Sequence, residues 1–207
     1  MSMIRPFLFF GSLLLLVMGN WYCTSGAGKP AAQQTAPESA KDSTENPKDS
    51  TENLKDSLFK DGTVYRNVGK EQKGVRLEDG SDILMSANTT VLLSKDYNKQ
   101  NRECMVNGEV FFHVADRAGK PFIVYTRNLQ IFVLGTKFRV NAFSDNAGEE
   151  VDLLEGRLRV RKSYHSTTDN DPEVLEVGEM VMINRDIDLM EKEKLDSAEL
   201  KKLNGGN

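Results

Sequence analysis

The sequence predicts an all-β fold: a compact antiparallel sandwich or barrel-like domain of many short strands, with a short C-terminal helix. Three observations carry this expectation. From Leu58 to Ile183 short apolar or alternating runs follow one another at close spacing. Gly, Asn, Asp and Pro punctuate them, and no apolar pattern of helical period and length lies between them. Strands without intervening helices must bury their apolar faces on each other, as sandwiches and barrels do.

The chain of 207 residues begins differently. Arg5 precedes a dense apolar run, Phe7 to Met18, and Trp21 and Tyr22 extend it toward Cys23. Against the amino terminus and ahead of a polar tract, this run has no core to join. Residues 1–23 therefore read as a signal peptide, with Ser25-Gly26-Ala27 as a cleavable small-residue site, or as a membrane anchor at the lower limit of spanning length. Lipidation at Cys23 is a third route, against which Asn20, Trp21 and Tyr22 are bulky. All three send the remainder out of the cytoplasm. Residues 24–57 follow as a tether rich in Ala, Pro, Ser, Thr, Lys and Glu, with a seven-residue repeat, Lys41-Asp-Ser-Thr-Glu-Asn-Pro47 and Lys48-Asp-Ser-Thr-Glu-Asn-Leu54. The repeat lacks the apolar pair of a coiled-coil heptad, and its side chains cannot repay the entropy of ordering the backbone.

Residues 58–185 hold the expected β domain. Its candidate strands begin with Thr63 to Tyr65, Gly74 to Leu77, Ile83 to Met85 and Val91 to Leu93. Arg102 to Val106 and Glu109 to Val114 flank Asn107-Gly108, the residue pair best suited to a two-residue type I′ turn, so a hairpin is predicted there. Asp79-Gly80 and Glu155-Gly156 are weaker turns of the same kind. Pro121 to Thr126, Leu129 to Leu134, Lys137 to Phe143, Val151 to Leu154, Arg157 to Val160, Val174 to Val177 and Met180 to Ile183 complete the set. Alternation at Lys137-Phe138-Arg139-Val140 and Arg157-Leu158-Arg159-Val160 predicts half-buried strands with the arginines in water. Phe112 and Val114 share one face of their strand, with Phe111 and His113 on the other. The polar tract from Ser163 to Glu173 reads as an exposed loop. Residues 186–207 read as a charged helix and tail, with one surface helix over 188–203.

Composition and motifs exclude more chemistry than they suggest. The net charge of -4, from 27 basic and 31 acidic residues, is spread without a long basic block, so no nucleic-acid surface is expected. Two cysteines, Cys23 and Cys104, make no disulfide framework. His113 lies in an apolar strand and His165 in a polar loop, and neither has the spacing of a metal site or a hydrolase triad. Glu149, Glu150, Asp152 and Glu155 are accounted for as charged turns, and the glycines form no phosphate-cradling loop. No catalytic, cofactor-binding or metal-ligating residue is assigned, and no cofactor is expected.

Lys73-Gly-Val-Arg-Leu-Glu-Asp-Gly-Ser81, Arg102 to Val114, Lys120 to Thr126, Val133-Leu-Gly-Thr-Lys-Phe-Arg-Val140, Leu154-Glu-Gly-Arg-Leu-Arg-Val160 and Val177-Gly-Glu179 together resemble the periplasmic domain of FecR-family sigma-regulator proteins, over roughly residues 70–185. The resemblance implies a non-enzymatic envelope sensory or adaptor protein, acting by protein contacts in transmembrane signalling linked to sigma factor regulation. It implies an outer-membrane TonB-dependent transporter or an inner-membrane regulator as partner. The expected location is the periplasmic face of the cell envelope, with the N-terminal segment as an inner-membrane anchor. Family members hold their sigma factor through a cytoplasmic domain, whereas only Met1 to Pro6 precede the apolar run here, so direct sigma binding is not expected. An edge strand, or the strand faces near Phe111 and Tyr125, is the expected contact surface. A periplasmic glycan- or ligand-binding β-sandwich is the alternative.

Overall fold

A computed structural model describes residues 55–99 and 101–205. The apolar run, Cys23 and nearly all of the tether, including both complete repeats, lie outside them. Among the described residues no helix is long and apolar enough to cross a membrane.

Thirteen strands form two seven-membered arrays that share one strand, β5. The first sheet runs β1 (Thr63–Asn67), β4 (Thr89–Leu93), the first half of β5 (Arg102–His113), β6 (Phe122–Tyr125), β7 (Leu129–Val133), β10 (Leu158–Lys162) and β11 (Glu173–Leu175). The second runs β2 (Lys73–Arg76), β3 (Asp82–Met85), the second half of β5, β8 (Lys137–Ala142), β9 (Gly148–Glu155), β12 (Glu179–Asn184) and β13 (Leu189–Lys194). Every pairing between these strands is antiparallel except β5 with β6. The two inner faces enclose one core, including Ile83, Val91, Phe112, Phe138, Leu153 and Leu158. Phe112 stacks on Phe138 at 4.9 Å and meets Phe122 edge-on at 5.8 Å. Burying each such side chain contributes about 1.5–3 kcal/mol.

Both seams between the sheets are bridged, which makes the whole nearly a closed barrel. On one side the Asn67 side-chain amide donates to the carbonyls of Met85 and Ser86, each at 3.0 Å, tying β1 to the end of β3. On the other, Lys192 of β13 donates to the Val174 carbonyl at 3.4 Å and pairs with Glu173 at 3.6 Å, tying β13 to β11.

The Asn107-Gly108 hairpin does not form. β5 runs through both residues without reversing. Gly108 has φ +123°, while Asn107 is not in the left-handed region, so the double positive φ of a type I′ turn is missing. Gly108 instead bends the strand from one sheet into the other. Thr89 packs so closely there that a Cβ at position 108 would lie 2.7 Å from its Cα. The Thr89 hydroxyl accepts the Glu109 N–H at 3.1 Å, replacing a ladder bond that the bend removes. A straight strand of this length would span roughly 40 Å. The return over residues 114–121, shortened by the turn that Lys120 N–H closes on the Arg117 carbonyl, still brings Phe122 beside Arg102. The bend makes that parallel pairing reachable.

The chain does turn at the other two glycines, but only the glycine of each pair has positive φ, so neither is a two-residue type I′ turn. Gly80 (φ +87°) closes β2 to β3, with its N–H on the Leu77 carbonyl at 3.0 Å. Gly156 (φ +89°) passes the chain from β9 in the second sheet to β10 in the first. The expected helix over 188–203 is half strand: β13 pairs with β12 from Leu189 to Lys194, and only Ser197–Gly205 is helical, here α1. The tract Leu-Met-Glu-Lys-Glu-Lys has no apolar period to separate strand from helix. Its alternating charges suit an exposed edge strand, which they shield from further pairing.

Each outer face carries a cover from the chain itself. A helical stretch at 55–59, starting inside the span read as tether, lays Leu58 and Phe59 on the first sheet against Leu92, Met105, Ile123 and Tyr125. Phe59 meets Tyr125 edge-on at 5.6 Å. Helix α1 lies along β9 of the second sheet, with Leu203 buried.

Candidate interaction site

Four polar constellations sit on this frame, and the first is wholly internal. Arg102 opens β5 with its side chain turned into the core, fully buried beside the fully buried Asp79 carboxylate at 3.0 Å. Its remaining donors meet the carbonyls of Ala115 (2.7 Å), Lys120 (2.6 Å) and Leu134 (2.9 Å). The guanidinium therefore fastens the β5–β6 return to the β2–β3 turn. Ser81 hydroxyl and amide donation, with Arg102, holds Asp79 below the usual carboxylate range although its burial opposes this. The signal that could have found it is alternation: Arg102 shares a strand face with Cys104 and Val106, whereas Arg157 and Arg159 alternate with the inward Leu158 and Val160.

The acidic residues of β9 are not charged turns. Arg139, expected in water, is half-buried and gathers Glu109 at 3.0 Å, Glu150 and Asp152. Asp152 is fully buried, and burial pushes its carboxyl up against the lowering influence of Arg139. Glu149 points the other way along the strand. It accepts the Asn128 N–H at 3.1 Å and the Thr126 hydroxyl at 2.5 Å, capping the β6–β7 turn. Its burial raises its pKa despite those donors.

The Ser163 to Glu173 tract is more firmly held than an exposed loop. Asp188, at φ +52° in the β12–β13 turn, accepts from the Ser166 hydroxyl (2.8 Å), Thr167 N–H (2.9 Å), Tyr164 hydroxyl (3.0 Å) and Lys162 ammonium (3.1 Å). Ser166 donation, more than any other contact, keeps Asp188 well below the usual carboxylate range. Burial is the leading cause that pushes the Tyr164 hydroxyl up to about 12, ahead of its bond to Asp188. Both carboxylate oxygens and the ammonium are engaged with one another, so the cluster pins a loop. His165 within it is exposed.

No group of three or more His, Cys, Asp or Glu among the described residues is placed to hold a metal ion. Cys104 is a buried free thiol, pushed up by burial and by Asp79. His113 is exposed at the end of β5, on the face of Phe111 and opposite the buried Phe112.

Open concavities lie on both outer faces of the described residues. On the outer face of the second sheet, a groove of about 530 Å³ runs between Val75, Leu84, Phe111 and Leu154, with His113 and Lys137 on its rim. On the first sheet, a shallower hollow of about 690 Å³ lies over Ile123, Phe132, Leu134 and Val174, beside Arg157 and Arg159. Of the two faces expected to make contacts, Phe111 is therefore available in a groove. Tyr125 is not, because Phe59 covers it and its hydroxyl reaches the buried Glu103 at 3.4 Å. Among the described residues, Tyr65, Phe111, Phe132, Phe143 and Tyr164 are partly exposed and the other aromatic side chains are buried.

The domain is thus a nearly closed β barrel whose polar groups fasten its own turns and whose outer faces carry open concavities. Residues 63–159 match the family described as FecR protein. Two crystal structures from Parabacteroides distasonis ATCC 8503, each described as a "putative anti-sigma factor", are similar to this chain. One, at 2.50 Å, shares 27% identity with a TM-score of 0.59, covering 66% of this chain and 61% of that one. The other, at 1.65 Å, shares 26% identity with a TM-score of 0.61, covering 70% and 64%. The chain thus spans less than two thirds of either neighbour. No functionally curated protein matches the sequence.

Proposed function

We propose that this chain is a non-enzymatic FecR-like adaptor of the cell envelope, which passes a signal toward sigma factor regulation through protein contacts. The FecR match over residues 63–159 carries this reading, and the descriptions of the two similar structures support it. In this reading residues 1–23 deliver the domain to the periplasmic side, anchored at the inner membrane, and residues 24–57 set its distance from the bilayer. The partner is an outer-membrane TonB-dependent transporter or an inner-membrane regulator. The groove beside Phe111 is a contact surface, apolar at its floor with His113 and Lys137 at its rim.

Deletion of the gene in its native host, followed by transcript profiling across carbon and iron sources, tests this. The expected result is a several-fold change confined to targets of one extracytoplasmic-function sigma factor, restored by the full chain. A transcript profile that never changes would overturn the proposal. Photo-cross-linking from position 111 or 113 in those cells then identifies the partner.

A further inference from the structure

Strand register aligns the outer face of the first sheet into two rows. Val64, Leu92, Met105, Tyr125, Gln130 and Arg161 face one another in succession across six strands. Glu103, Ile123, Phe132, Arg159 and Val174 do so alongside. The helical stretch at 55–59 covers the apolar left half of both rows, where Leu92, Met105, Tyr125 and Ile123 lie beneath Leu58 and Phe59. Among the described residues, none covers the right half in this way. There Phe132 is only partly buried, Val174 is 43% exposed and Leu134 51% exposed, around the hollow of about 690 Å³.

The charge of this uncovered half is equally lopsided. Arg159 and Arg161 of β10 and Arg157 just before it alternate along the chain and are exposed, on a chain whose net charge is -4. Arg159 and Arg161 both lie over the Phe132 ring, at 4.8 and 5.4 Å. Arg161 donates to Gln130, and Arg157 pairs weakly with Glu176 at 3.4 Å, both exposed. The Arg159 guanidinium has no hydrogen bond or ion pair among the described residues, so the ring holds it in place with its donors unspent. A stacked guanidinium with free donors is arranged for a carboxylate.

We propose that the uncovered half of this sheet docks an extended acidic segment of a partner protein, with an aliphatic anchor in the Phe132, Leu134 and Val174 hollow and carboxylates on Arg159 and Arg157. The segment continues the cover that Leu58 and Phe59 begin. The inference rests on the reading that the chain acts through protein contacts, and names a second surface for it.

Fluorescence anisotropy with the full chain tests this, using three short labelled peptides: alternating leucine and glutamate, alternating leucine and lysine, and alternating serine and glutamate. The leucine–glutamate peptide is expected to bind saturably and the other two far more weakly. Arg159→Glu and Val174→Asp, both at exposed positions, should each weaken it by about tenfold, the scale of one charge-assisted or anchoring contact. Circular dichroism checks that both variants keep the fold. Equal binding of acidic and basic peptides, or affinity unchanged in both variants, would overturn the proposal. So would binding of phosphatidylglycerol vesicles with no peptide binding, which would make the face a membrane surface. Because the deletion phenotype does not depend on these peptides, failure here leaves the proposed function standing, and failure there is seen separately.

Discussion

Removing Arg102 leaves more than a gap, since a buried guanidinium is tolerated only when each of its donors finds an acceptor. It would strand the Asp79 carboxylate and the carbonyls of Ala115, Lys120 and Leu134 in the core. Arg102→Met is therefore expected to lose about 3–5 kcal/mol of stability, read from urea unfolding. Glu149 makes the opposite electrostatic demand. Burial raises its pKa in the folded state above the ordinary 4.5, so folding favours the protonated form. Its contribution is complete below pH 4.5 and is lost as pH rises through the folded value. Glu149→Gln is expected to flatten the fall in stability with rising pH above 4.5, in unfolding curves taken across the range. The slope persists in part, because Glu103 and Asp152 are raised by burial as well. The role of Glu149 was not legible in the sequence, whereas Arg102 left a trace: it shares a strand face with Cys104 and Val106, while Arg159 alternates with the inward Leu158 and Val160. The path of residues 115–134 then supplies the acceptors that make the burial of Arg102 tolerable.

At the scale of elements, alternation located the strands because a half-buried strand must alternate whatever its partners are. The bend at Gly108 was hidden for an instructive reason. Glycine is required there for positive φ and for the approach of Thr89, and the same residue after asparagine also makes the best hairpin turn. Local chemistry cannot separate the two, whereas long-range pairing with β3, β4 and β8 does. Gly108→Ala should cost about 1–3 kcal/mol from backbone strain alone, before the clash with Thr89 is counted. Thermal melts would measure it, and a drop at the low end or below would mean that Thr89 yields. The strand at 189–194 was missed because Glu-Lys alternation serves an edge strand and a surface helix equally well. Of the two strand faces singled out in the sequence, that of Phe111 lines an open groove, but Tyr125 is covered by residues 58–59, which the sequence placed at the domain's threshold.

On the scale of the whole molecule, one strand belongs to both sheets and one core fills the space between them, so neither sheet can unfold while the other keeps its packing. Urea unfolding is expected to be a single transition, with coincident far-ultraviolet circular dichroism and tyrosine fluorescence. Separate transitions would show that the halves of β5 part company. Hydrogen exchange should likewise give the slowest amides on both sides of Gly108 a common opening free energy.

The bridged seams and the shared strand also decide how the domain bears load. Strands β1 and β13 lie at edges of different sheets, with β4 between β1 and the shared strand, and β8, β9 and β12 between it and β13. A pull between them would act first on the two seams and then strip edge strands singly, unzipping ladder bonds one at a time rather than shearing many together. The bent strand at the centre would be the last to yield, so a tug of modest strength could expose an edge for another chain while the core stayed intact.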